Sequence, residues 1–191
     1  MTPARLEEIL GHAARKRILV IGDLMLDEFV WGKVGRISPE APVPVVEVTR
    51  ETSYPGGAAN VARNLQEFVG RTSVIGLIGT DRGGRELRAL LDRGKIEIGD
   101  LIADADFPTI VKTRIIARQQ QVVRVDREEL RSPSANQISQ VIEGIRRQLH
   151  EIEVGDFVGK GQVLLFCNLT CHSYRVFRNI DAMKGSADPA A

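Results

Sequence analysis

An excess of charge of either sign is what this sequence most plainly lacks. Its 191 residues carry 26 Lys and Arg against 25 Asp and Glu, a net charge of +1. So even a balance gives no electrostatic basis for nucleic acid or an anionic membrane as a partner. Long apolar runs are missing as well, since none approaches the roughly 20 residues that a membrane-spanning helix needs. Met1 to Arg17 is charged throughout, and the expectation is a chain without a signal peptide. Cysteine is scarce: Cys167 and Cys171 are too few for a disulfide framework, which points to a cytoplasmic protein. Aromatic residues make up only 5 % of the chain, with a single tryptophan. One such ring is no stacking platform for bases, so Trp31 is expected to pack within a strand. No internal repeat is present. The length suits one domain with a sizeable core, and the sum of these exclusions is a soluble, intracellular, globular chain.

What the chain does have is organised around Tyr54-Pro55-Gly56-Gly57-Ala58-Ala59-Asn60-Val61-Ala62. Two glycines lead straight into a helix-forming segment, Ala58 to about Val69. They permit positive φ or a close approach of backbone to a ligand. The helix start that follows presents free N–H groups and a positive dipole end. Asn60 adds a neutral donor and acceptor in the first turn. This combination suits a polyhydroxylated ligand, and it equally suits a helix entry with nothing bound.

Around that stretch the pattern is mostly α/β. Thr2-Pro3 reads as a cap and first helical position, with Leu6, Ile9, Leu10 and Ala13 as an apolar stripe. Arg17 to Gly22 is a short apolar run of the kind buried on both faces of a parallel sheet. Asp23 and Asp27 follow directly, at the carboxyl end of that strand, where open α/β sheets bind ligands. Turn or helix capping is the other reading for both. Strands are expected at Phe29–Val34 and Val43–Thr49, with Pro44 placing the second at an edge. After the Ala58 helix come a strand over Thr72–Ile78 and a helix over Gly83–Leu91. A β-hairpin follows, Thr109–Ala117 and Gln121–Asp126, turning near Arg118-Gln119-Gln120. Ser132-Pro133-Ser134 opens a last helix with apolar Ile138, Val141, Ile142, Ile145 and Leu149. The fold class predicted is a layered α/β core with a small β-sheet contributed in pieces.

Several blocks resemble the amino-terminal part of the ribokinase/PfkB-type carbohydrate kinases. They are Ile21 to Asp27, Gly35 to Val45, Pro55 to Ala62, Gly76 to Asp81 and Lys112 to Asp126. The second and last of these are most similar to the branch that phosphorylates D-glycero-β-D-manno-heptose 7-phosphate at C1, on the route to ADP-heptose and lipopolysaccharide. The similarity covers about residues 1–153. It implies a ribokinase-like α/β/α layered core, here incomplete, with a β-sheet lid built from residues 29–49 and 109–126. It further implies that Asp27 hydrogen-bonds sugar hydroxyls while Gly56, Gly57 and Asn60 close around the sugar. A substrate phosphate needs counter-charge, and Lys112, Arg114 and Arg124 are candidates by sign and location, solvated surface charge being the alternative. Lys112 and Arg114 share one face of their strand and so are able to converge on one anion. The family's cofactors are ATP and Mg2+, its substrate here a sugar phosphate, and a homodimer through the lid is a further expectation.

The resemblance stops near Glu153. The family's Asp-Thr-x-Gly-Ala-Gly-Asp stretch carries the anion hole and the catalytic Asp. No Gly-x-Gly-Asp occurs after Arg131, so no catalytic residue is assigned, and ATP binding by this chain is doubtful. Residues 154–191 read as a divergent tail, with a strand at Val163–Phe166, and the expectation is a kinase truncated or read out of frame. The alternative is a non-catalytic chain that keeps the sugar-contacting and lid elements. Cys167-Asn168-Leu169-Thr170-Cys171-His172 places two thiols beside an imidazole, but zinc takes about four ligands and no second pair exists. It is read as fortuitous, and no metal site is expected.

Overall fold

A computed structural model describes residues 2–129, 132–150 and 162–167, with side chains through residue 148. The Gly155–Lys160 segment, the 153/154 boundary and the tail beyond Cys167 lie outside the described residues. Helix α1 spans Pro3–Ala13, with the Thr2 hydroxyl accepting from the Arg5 amide. The apolar stripe read from the sequence is present but unburied: Leu6, Ile9 and Leu10 are all exposed.

The core rests on strand β1, Arg17–Gly22, whose interior is buried throughout. It lies between β4 (Arg71–Ile75) and β9 (Gln162–Cys167), parallel to both. Alternation along β1 sorts its side chains onto two faces. Ile18 and Val20 join Ala58, Ala59 and Ala62 of helix α2 (Ala58–Gln66) and Leu87 and Leu91 of helix α3 (Arg82–Arg93). Leu19 and Ile21 pack instead with Val141 and Ile145 of helix α4 (Ala135–His150). Helices therefore cover both faces of the sheet, which is the α/β/α layering expected. Reciprocal bonds start α4: the Ser134 amide donates to Gln137 Oε1, and the Gln137 amide donates to the Ser134 hydroxyl.

The second sheet has strand order β3-β2-β7-β8. Its strands are β2 (Leu24–Ile37), β3 (Pro44–Gly57), β7 (Ile110–Ala117) and β8 (Gln120–Arg127). Two antiparallel hairpins are joined by the parallel β2–β7 pair. Strands β2 and β3 are far longer than the alternation suggested, and the difference positions the site. Leu24 and Leu26 are fully buried in the core while Ile37 at the other end is 60 % exposed, so β2 grows out of the core and becomes lid. Tyr54 to Gly57 likewise belongs to β3 and not to a loop.

The strand read over Thr72–Ile78 is interrupted. β4 ends at Ile75, and β5 (Leu77–Gly79) pairs with β6 (Ile102–Asp104) in a separate ribbon. Gly76 marks the break, where a Cβ would stand 2.7 Å from the Gly22 carbonyl oxygen and from Leu24 Cγ. The β7–β8 turn falls on Arg118 and Gln119, both at positive φ (50° and 65°), the twist that a two-residue hairpin requires. No helix among the described residues is long and apolar enough to cross a membrane.

Candidate functional site

The carboxylate of Asp27 lies where β2 leaves the core. Register sets it between Tyr54 of β3 and Lys112 of β7, and two strand positions further out it sets Phe29 beside Arg114. Period-two alternation then gathers Asp27, Phe29, Trp31, Tyr54, Lys112 and Arg114 on one face of the sheet. The Phe29 and Trp31 rings stack at 6.4 Å, and Tyr54 meets Phe29 edge-on at 5.8 Å. A guanidinium lies over each ring: Arg50 on Trp31, Arg63 on Tyr54 and Arg114 on Phe29, at 4.9 to 5.4 Å. The indole Nε1 of Trp31 and the hydroxyl of Thr52 are buried without a hydrogen-bond partner.

Gly56 forms the wall behind the carboxylate, and Gly57 lies against Asp23 and Met25. A Cβ on Gly56 would sit 2.7 Å from Asp27 Oδ2 and 2.8 Å from Met25 Cγ. Gly57 adopts φ of 56° and ψ of −132°, and its Cβ would come within 2.5 Å of the Asp23 carbonyl oxygen. That oxygen accepts the Ala58 amide at 3.0 Å, which fixes the start of α2 against the end of β1. Only glycine satisfies both the dihedral and the contact. Helix α2 begins with no side-chain cap, and Asn60 stands exposed in its first turn.

The three lid cations share this sheet, but each is already bonded to a carboxylate. Arg114 Nη1 donates to Asp27 Oδ1 at 2.6 Å, with both side chains 22 % exposed. Lys112 Nζ reaches Asp126 Oδ2 at 3.1 Å and Glu128 Oε2 at 2.9 Å. Arg124 Nε donates to Asp126 Oδ1 at 2.9 Å. Burial alone would lower the Lys112 pKa, but hydrogen bonds to Glu128 and Asp126 outweigh it and raise the value above the ordinary 10.5. Asp126 is held below the ordinary carboxylate value, chiefly by its hydrogen bond from Lys112. Lys112 and Arg114 share a face as alternation required, yet they are engaged by separate acids. Sequence reasoning saw the cations and Asp27 and missed the acids Asp126 and Glu128. Asp126 comes beside Lys112 only through the register shift between Ile115 and Ile116 in the β7–β8 pairing.

A second polar knot lies beneath the lid. Asp81 caps α3 by accepting the Gly84 amide at 2.8 Å, and it also accepts the Thr109 amide and hydroxyl at 2.9 and 2.7 Å. The Thr109 hydroxyl accepts the Gly79 amide in turn, so the ends of β5, α3 and β7 are tied at one point. Burial would raise the Asp81 pKa, but the bonds from Gly84 and Thr109 prevail and lower it.

Among the described residues no group of three or more His, Cys, Asp or Glu is placed to hold an ion. The starts of α1, α3 and α4 are closed by Thr2, Asp81 and Ser134. The uncapped start of α2 follows Gly56, whose Cβ would meet Asp27 Oδ2.

Residues 15–160 match the family described as pfkB family carbohydrate kinase. The D-beta-D-heptose 7-phosphate kinase of Bordetella bronchiseptica is 43 % identical over 150 residues, covering 78 % of this chain and 47 % of that one. The bifunctional protein HldE of Koribacter versatilis is 42 % identical over 151 residues, covering 79 % and 30 % respectively. The chain thus spans about a third to a half of the length of these curated relatives. In fold it is similar to the tetrameric inhibited form of phosphofructokinase-2 from Escherichia coli. That likeness has a TM-score of 0.54 and 20 % identity, and covers 80 % of this chain and 45 % of the other. With the layered core, the sheet lid and the match through most of its length, the chain belongs to the pfkB family of carbohydrate kinases.

Proposed function

We propose that this chain carries the sugar-binding part of a kinase that phosphorylates D-glycero-β-D-manno-heptose 7-phosphate at C1, leading toward ADP-heptose for lipopolysaccharide. The observation that carries this reading is the 43 % identity to a protein named for heptose 7-phosphate phosphorylation. The site agrees with it chemically. Asp27 offers a carboxylate to sugar hydroxyls, Gly56 and Gly57 let backbone approach the ring, and Asn60 adds an amide beside the uncapped helix start. Lys112, Arg114 and Arg124 supply positive charge for the phosphate already on the sugar. ATP is the proposed phosphoryl donor, with Mg2+, in a cytoplasmic enzyme. A homodimer through the lid completes the reading, because Val48, Val123 and Val125 are exposed on the face opposite Asp27.

A second reading is favoured by the sequence after Arg131, which contains no Gly-x-Gly-Asp. In it the polypeptide binds the sugar phosphate without transferring a phosphoryl group. One experiment separates the two: incubate the purified chain with heptose 7-phosphate, ATP and Mg2+, follow ADP release, and titrate heptose 7-phosphate by calorimetry. Turnover supports the kinase reading, and saturable binding without turnover supports the second. Absence of both contradicts the sugar-phosphate assignment.

A further inference from the structure

The Asp27–Arg114 ion pair raises a problem for sugar binding, because the carboxylate meant for hydroxyls is occupied by the cation meant for phosphate. Asp27 Oδ1 holds Arg114 Nη1, and Oδ2 faces Gly56. We propose that Arg114 determines the specificity of this site by exchanging partners: a phosphorylated sugar draws its guanidinium off Asp27, and the sugar's hydroxyls take the place it leaves. This inference rests on the sugar-phosphate reading and adds to it which lid cation recognises the phosphate and how a neutral sugar is discriminated against.

The exchange balances at Arg114 and not at the other two cations. Breaking a partly buried ion pair costs most when a charge is left without a partner. When Arg114 leaves, Asp27 gains hydroxyl donors and the guanidinium gains phosphate oxygens, so neither is abandoned. The dianionic phosphate also attracts the cation more strongly than a single carboxylate does. Lys112 differs, because its departure would leave Glu128 without that bond and Asp126 with Arg124 alone, and neither carboxylate faces a sugar hydroxyl in this scheme. Arg124 shares Asp126 with Lys112 and is 50 % exposed, so its charge is largely screened. Distance permits the exchange. A hydroxyl bonded to Asp27 lies within about 6 Å of the Arg114 guanidinium, the sum of two hydrogen-bond lengths. A phosphate a few bonds along the same sugar is then within reach of it. An unphosphorylated sugar brings no anion, so Arg114 stays on Asp27 and a full set of carboxylate contacts is denied to it.

Arg114 lies over Phe29, and Phe29 stacks on Trp31, the single tryptophan of the chain. Intrinsic fluorescence therefore reads the lid directly. The test titrates the full chain with heptose 7-phosphate and, separately, with the unphosphorylated heptose. Wild type is expected to bind the phosphorylated sugar tighter by about tenfold or more, the worth of one charge-assisted hydrogen bond. Arg114→Gln is expected to bring that ratio close to one, with affinity for the unphosphorylated sugar unchanged or higher because Asp27 is released. Arg114→Lys, which keeps the charge, is expected to restore part of the ratio, and it serves as the test if the Gln variant fails to fold. A ratio retained in Arg114→Gln overturns the inference, as does a ratio lost in Lys112→Gln and kept in Arg114→Gln. Equal binding of both sugars by wild type overturns the exchange alone. Binding of neither removes the sugar-phosphate reading beneath it.

Discussion

At Gly56 the constraint is one of space, and it acts on the side chain proposed to touch substrate. A methyl group there meets Asp27 Oδ2, Asp27 Cγ and Met25 Cγ within 2.8 Å, and Met25 is anchored in a strand rising from the core. Gly56→Ala must therefore move the carboxylate or the backbone. Overpacking of this kind costs about 1–3 kcal/mol, which urea denaturation would read, and the displaced Asp27 is expected to weaken sugar binding in the same variant. A stable Gly56→Ala protein with unaltered sugar affinity would show that the glycine is not placed for Asp27. Gly57 carries a different constraint, in its dihedral. The sequence signalled both glycines as special but could not separate their reasons, because one lies in a cross-strand contact and the other in a positive φ. Asp27 was legible from its place after an apolar strand. Its partner Arg114, 87 positions later, was visible only as one cation among three.

At the scale of elements, the lid is pinned to the core at Asp81. Its carboxylate ties the start of α3 to Thr109, one residue before β7, and β7 carries Lys112 and Arg114. Asp81→Ala removes the cap and the tie together, and loss of the cap alone is worth about 0.5–2 kcal/mol. The pH dependence has a definite sign. The Asp81 pKa is lowered on folding, so its contribution is present above the unfolded value near 3.8 and is lost as pH falls through the folded value. Wild-type stability is therefore expected to fall below about pH 4 more steeply than that of Asp81→Ala. Urea midpoints from pH 3 to 6 check this, and parallel curves for the two proteins would refute it. Element identity was readable wherever periodicity was strong, as in β1, the β7–β8 hairpin and α4 with its Ser134–Gln137 start. Length was not. β2 and β3 each cross from core to lid, so burial changes along the strand and the alternation is uniform in neither half. The three-residue strands β5 and β6 gave no pattern long enough to detect.

For the whole molecule the lid sheet has two unlike faces. One bears Asp27, the aromatic rings and the cations; the other exposes Val48, Val123 and Val125. An apolar sheet face with β3 and β8 as open edges favours association with a like surface. The dimer proposal predicts that a Val123→Glu, Val125→Glu chain sediments as a smaller species than wild type at equal concentration. Identical sedimentation as monomers would contradict it. A layered α/β core with a small separate sheet was legible in the order of the segments, and the α/β/α layering, the lid and the family were anticipated by the resemblance. What no single sequence displays is the charge pairing across the lid, which arises only once β2, β7 and β8 lie side by side.

The account turns on Asp27 being a sugar-binding carboxylate, and calorimetric titration of wild type and Asp27→Asn with heptose 7-phosphate tests that directly. The amide keeps the shape and loses the charge, and the expected result is saturable binding by wild type that weakens by about tenfold or more in the variant, as for loss of a charged acceptor. Equal affinity in the two proteins, or no binding by wild type, would contradict it.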